Sequence, residues 1–174
     1  MSKHGDITAG IGKNLKIDGY KVFYDHGVSG KNVGKIVSTL EKDYDRGDEL
    51  SQLDIAIVEQ NSDRVVALVE IEETSDRPKT LLGNIFGVLF GKYVCFKGKE
   101  LQVGDFTTFF VVGVSKTNHT DRNKHILDHL NRARPKLGTG NADIGKVLIK
   151  IFADKSELID QLPFVLDRAI KGEL

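Results

Sequence analysis

The chain has 174 residues, 40% of them hydrophobic, which matches one domain with an ordinary buried core. Charged residues make up 29%, and no apolar run approaches the ~18 residues that span a bilayer, which argues against a disordered chain and against a membrane-spanning one. With 25 basic and 25 acidic residues the net charge is zero, so there is no overall positive field of the kind small nucleic-acid-binding proteins use. The first element is a short helix, in which Ile7, Ile11 and Leu15 recur every four residues behind Asp6 and Asp18-Gly19 stops the pattern. Tyr20 to His26 reads as a strand, broken by the stretch from Gly27 to Gly34, and Ile36 to Tyr44 as a further helix. Leu53 to Val58 and Val65 to Glu72 follow as two strands around Asn61-Ser62-Asp63, apolar on both faces as in the middle of a sheet.

Pro78 marks the start of the next helix, with Ser75 or Asp76 as cap and an apolar stripe of Leu81, Leu82, Ile85, Val88 and Leu89. Gly83, Gly87 and Gly91 recur every four residues, which lowers helicity but permits close approach to a sheet. Thr107 to Val114 is a strand, Arg122 to Ala133 a basic helix ended by Pro135, Lys146 to Phe152 a strand, and Ser156 to Lys171 a last helix. The predicted fold class is α/β, a mixed central sheet flanked by helices, in a single domain over residues 1–174. The run from Val65 through the Pro78 helix to Thr107 implies a parallel crossover.

Charge is unevenly placed. Lys116, Arg122, Lys124, Arg132, Arg134 and Lys136 outnumber Asp121 and Asp128, whereas Glu41, Asp43, Asp45, Asp48 and Glu49 outnumber Lys42 and Arg46. Such an arrangement suits a polyanion bound near a metal, but also two solvated faces, which charge alone favours.

Side chains alternate across a strand, so Glu70 and Glu72 share one face. A hairpin symmetric about Ser62 sets Asp54 opposite Glu70, Leu53 opposite Ile71, Ile55 opposite Val69, Ala56 opposite Leu68 and Val58 opposite Val66. Three carboxylates then meet at one end of an apolar sheet, where like charges and desolvation both cost stability unless a cation compensates. Magnesium, which takes one or two carboxylates plus water and phosphate oxygens, is the simplest compensator, with manganese as its substitute. The alternative is acids splayed into water or paired with Arg77 and Lys79.

A helix, a strand with an aspartate, a hairpin, and a strand ending in an acid-x-Lys or acid-x-Glu triplet before a helix resembles the PD-(D/E)XK, or restriction-endonuclease-like, nuclease superfamily. The matching residues are Leu53-Asp54-Ile55 and Val69-Glu70-Ile71-Glu72, and the likeness in order extends from Asp6 to Phe152. The resemblance implies an αβββαβ core and a magnesium-dependent endodeoxyribonuclease, with Asp54 and Glu70 holding the metal and Glu72 in the place usually taken by lysine. Lys79, or else Arg77, then stands as the replacement cation, with Lys79 preferred in the catalytic set of Asp54, Glu70, Glu72 and Lys79. Glu41, Asp43 and Glu49 are candidates for the acid that relatives carry on the first helix. Arg77, Lys116, Arg122, Lys124, Arg132 and Arg134 would contact nucleic acid, and a homodimer is expected because many such nucleases cut two strands. A catalytically inactive member of the fold, serving as a nucleic-acid or protein interaction module, is the alternative.

Other patterns carry less. His125 and His129 share a helical face with His119 nearby, but the glutamate of a zinc-protease motif is missing. Gly138-Thr139-Gly140 lacks the ending of a phosphate-binding loop, and the single cysteine, Cys95, reads as a small buried hydrophobe. Met1 to Gly12 carries Lys3, Asp6 and glycines where an export signal needs an apolar core, so the expected location is cytoplasmic, with no membrane partner.

Overall fold

The computed structural model describes residues 4–26, 34–42, 47–72, 78–114 and 144–173. Three helices and nine strands occur among these residues: α1 (His4–Asn14), β1 (Tyr20–Tyr24), β2 (Ile36–Thr39), β3 (Glu49–Leu53), β4 (Ile55–Glu59), β5 (Val65–Glu72), α2 (Pro78–Phe90), β6 (Tyr93–Phe96), β7 (Lys99–Gln102), β8 (Thr108–Val114), β9 (Lys146–Phe152) and α3 (Lys155–Ile170). They build a mixed α/β fold with two sheets. One has five strands in the order β1-β4-β5-β8-β9, the other four in the order β3-β2-β6-β7. No helix among the described residues is long and apolar enough to cross a membrane.

In the larger sheet β1, β4 and β5 are antiparallel neighbours, and β8 and β9 continue it in parallel. One face is covered by α1 and α3: Ile7 and Ile11 of α1, Leu15 just beyond it, and Leu158, Leu162 and Leu166 of α3 pack with Ile55, Ile57, Val69 and Phe110. The α3 helix holds its start with Asp154, whose carboxylate accepts the Glu157 amide at 2.9 Å, while Glu157 reaches back to the Ala153 amide. The opposite face packs against α2 and the smaller sheet, where Ala56, Leu68, Phe109 and Val111 meet Ile36, Leu53, Ile85, Val88, Val94 and Leu101.

The smaller sheet is where the sequence reading needs correction. Ile36 to Tyr44, expected as a helix, contains β2, all four residues of which are buried; β-branched Ile36, Val37 and Thr39 suit a strand enclosed on both sides. Leu53 does not pair with Ile71 but with Ile36. Tyr93 to Gln102, for which no element was expected, is a hairpin whose turn residues Lys97 and Gly98 have φ of 51° and 74°. Positive φ at both central positions is the geometry that matches strand twist in a two-residue turn, and glycine after lysine was the available signal.

Two of the three regularly spaced glycines do allow close approach, and the sheet they approach is the smaller one. A Cβ on Gly87 would collide with the Leu50 carbonyl oxygen, and one on Gly91 with the Ser38 hydroxyl, whereas one on Gly83 would meet nothing within 4 Å among the described residues. Ser38 Oγ donates to the Gly87 carbonyl at 3.0 Å, tying the helix to β2. Cys95 is 2% exposed, and burial raises its thiol pKa, as a small hydrophobe in a core should behave. The helix expected at residues 122–133 lies outside the described residues.

Candidate functional site

β3 and β4 form one continuous stretch of chain that changes sheets at a single residue, Asp54. The backbone there stays tied to the larger sheet: Asp54 N–H donates to Val69 O at 3.1 Å, and Asp54 O accepts the Asp25 N–H at 3.0 Å. Leu53 has left for the smaller sheet, and the Ile71 N–H finds its acceptor in Asp54 Oδ2 at 2.6 Å. A short bond from a backbone donor to a carboxylate is charge-assisted and fixes the side chain. Asp54 is 4% exposed.

The symmetric register holds for Ile55↔Val69 and Ala56↔Leu68, continues through Ile57↔Ala67, and then breaks at a bulge, so that Val58 meets Val65 rather than Val66. The bulge lies on the turn side, away from Asp54, and leaves the two acids at the same end of the sheet. Glu70, 9% exposed, sits on β5 between β4 and Val111 of β8. Its Oε1 accepts Asn84 Nδ2 from α2 at 2.9 Å, which places the carboxylate on the α2 side of the sheet. Glu72 lies opposite Gly113 and is half-buried; by alternation it shares the Glu70 face.

Asp25 and His26 follow β1 at the same end, and His26 Nδ1 lies 2.7 Å from Asp25 Oδ2. Because β1 runs parallel to β5, this is the carboxyl end of β1, β5, β8 and β9 alike, the end of an α/β sheet at which ligands collect.

Two buried carboxylates are hard oxygen donors, the chemistry a divalent cation such as magnesium selects. Among the described residues no three His, Cys, Asp or Glu side chains form a group able to hold a metal by themselves. Asp54 and Glu70 each have one carboxylate oxygen in a directed hydrogen bond, to the Ile71 amide and to Asn84.

Of the other expected site residues, Lys79 lies in the first turn of α2, with its side chain outside the described set, and Arg77, Lys116, Arg122, Lys124, Arg132 and Arg134 lie outside it altogether, as do His119, His125 and His129. Glu49 pairs with Lys35 Nζ at 3.3 Å on β3, and Glu41 is exposed. Sequence reasoning missed Asn84, although it interrupts the apolar stripe between Leu81 and Val88, and it assigned nothing to Asp25 and His26. A separate cleft of about 780 Å³ between the α1–β1 connection and α3 is lined by Lys16, Asp18, Asp160, Phe164, Asp167 and Lys171 and touches neither Asp54 nor Glu70.

No family model matches the chain, and neither a curated protein nor a solved structure shows significant similarity to it.

Proposed function

We propose that the chain is a metal-dependent nuclease that hydrolyses DNA phosphodiester bonds, with the site built on Asp54 and Glu70 and with Glu72 beside them. The observation that carries this reading is the pair itself: two buried carboxylates, Asp54 at the junction of β3 and β4 and Glu70 on β5, each already accepting a directed hydrogen bond, at the carboxyl end of the parallel strands. The order of elements supports it as well. Helix α1, the antiparallel β1, β4 and β5, helix α2, and β8 parallel to β5 follow the αβββαβ succession of the restriction-endonuclease-like core, with β2-β3 and β6-β7 inserted as a second sheet.

In this reading Asp54 and Glu70 hold magnesium or manganese; when bound, the cation polarises the scissile phosphate and offsets charge on the departing oxygen. Asp54 is kept in place by the Ile71 amide and Glu70 by Asn84, so neither side chain has to reorganise as substrate arrives. Glu72 orients water or adds a third oxygen donor. The cation that a lysine would contribute falls to Lys79 or Arg77, and Lys116, Arg122, Lys124, Arg132 and Arg134 bind phosphates away from the cut. Two copies of the chain would cut both strands. Glu72 in the usual lysine position favours a second reading, a catalytically inactive member of the same fold that binds nucleic acid or protein.

The test is cleavage of plasmid and of short duplex, branched and single-stranded DNA with magnesium or manganese, comparing the wild type with Asp54→Asn and Glu70→Gln. Metal-dependent cutting lost in both variants is the expected result. No cutting of any substrate, with a melting temperature unmoved by either metal, would favour the inactive module.

A further inference from the structure

We infer that Asn84 is a positioning residue whose amide sets the Glu70 carboxylate for a divalent cation, and that the smaller sheet serves the site by holding the helix that carries it. This inference rests on the metal-site reading above. Glu70 has a long, flexible side chain at 9% exposure, where loose rotamers leave a charged group neither solvated nor aimed. Asn84 Nδ2 supplies a donor at 2.9 Å to Oε1, and an ionised carboxylate, being acceptor-only, requires that it is the NH₂ side of the amide that faces it.

The amide can do this only if α2 is fixed. One turn further along the helix, Gly87 sits against β3, and its carbonyl accepts the Ser38 hydroxyl of β2 at 3.0 Å; Gly91, just beyond the end of the helix, lets Ser38 press in. The chain of contact runs from β2 and β3, through the glycine side of α2, to Asn84 and then Glu70. Partners in the outer layer that orient a ligand side chain typically change metal affinity about 10–100-fold when removed.

The experiment is a calorimetric titration of manganese into the purified full chain, without DNA, so that no turnover is involved. Wild type, Glu70→Gln, Asn84→Leu and Asn84→Ala are compared, each checked for folding by circular dichroism and thermal melting. Leucine keeps the size and helix propensity of the site, and alanine serves if leucine does not fold. The expected result is binding by the wild type, none by Glu70→Gln, and binding weakened about 10–100-fold with unchanged stoichiometry in the folded Asn84 variant. Wild-type affinity in a folded Asn84 variant, with Glu70→Gln still silent, would overturn the role of Asn84 and leave the metal site standing. No manganese binding by the wild type would overturn the metal reading, and this inference with it.

Discussion

The two faces of the five-stranded sheet bury similar numbers of aliphatic side chains and treat polar groups in opposite ways. Against α1 and α3 the contacts are apolar, and among the described residues the buried polar side chain on those helices is Thr8, whose hydroxyl finds no hydrogen-bond partner there. On the other side Ser38, Ser51, Asp54, Glu70 and Thr107 are all buried, each engaged through its side chain in a directed hydrogen bond. A buried polar atom costs stability unless it is paired, so investment in partners on one face only marks where the fold supports something besides its own core.

The most severe way to test that contrast is to remove charge from the polar face. Asp54→Asn and Glu70→Gln keep size and one acceptor oxygen, enough for the bonds from the Ile71 amide and from Asn84, so they are expected to abolish metal-dependent cleavage while the melting temperature stays close to that of the wild type. A large drop in melting temperature would mean the acids are structural. On the helical face the reverse is expected: Phe110→Ala, at a fully buried position of β8, should cost about 3–5 kcal/mol in chemical denaturation.

The glycines of α2 sharpen the comparison at intermediate size. Gly83→Ala meets no neighbour among the described residues and should gain up to about 1 kcal/mol from helix propensity. Gly87→Ala makes the same local gain but drives a methyl into the Leu50 backbone, where overpacking costs about 1–3 kcal/mol, so a net loss in melting temperature is expected. If Gly87→Ala stabilises as Gly83→Ala does, the helix is not pinned on the smaller sheet. The smallest effect is at Thr8. Thr8→Val removes a buried hydroxyl that has no partner among the described residues and should leave stability unchanged or raise it by up to about 1 kcal/mol in thermal melting.

Much of the larger sheet was legible because its strands carry their own signal. β9 spans Lys146–Phe152 as read, β5 spans Val65–Glu72 as read, and α2 begins at Pro78, where the proline fits the first turn. The smaller sheet was not legible. β2 and β6 have four residues each, too few for a two-residue period to stand out from a helical one, and their burial depends on each other. For the site, the placement of Asp54 and Glu70 at one end of a hairpin followed from alternation and a polar turn. Asn84 could not be joined to Glu70, because a polar residue within a helical stripe has no register to a strand until the helix is docked.

The sequence by itself determined the α/β class, the antiparallel β4-β5 pair and the acids at its end, since these follow from periodicity and turn chemistry within about twenty residues of chain. Only the tertiary structure decided that the strand before Asp54 belongs to a second sheet, that the α2 glycines face that sheet, and that Asn84 meets Glu70. Those contacts join residues distant in sequence, and they form only once the apolar surfaces of α2 and of both sheets have been buried together.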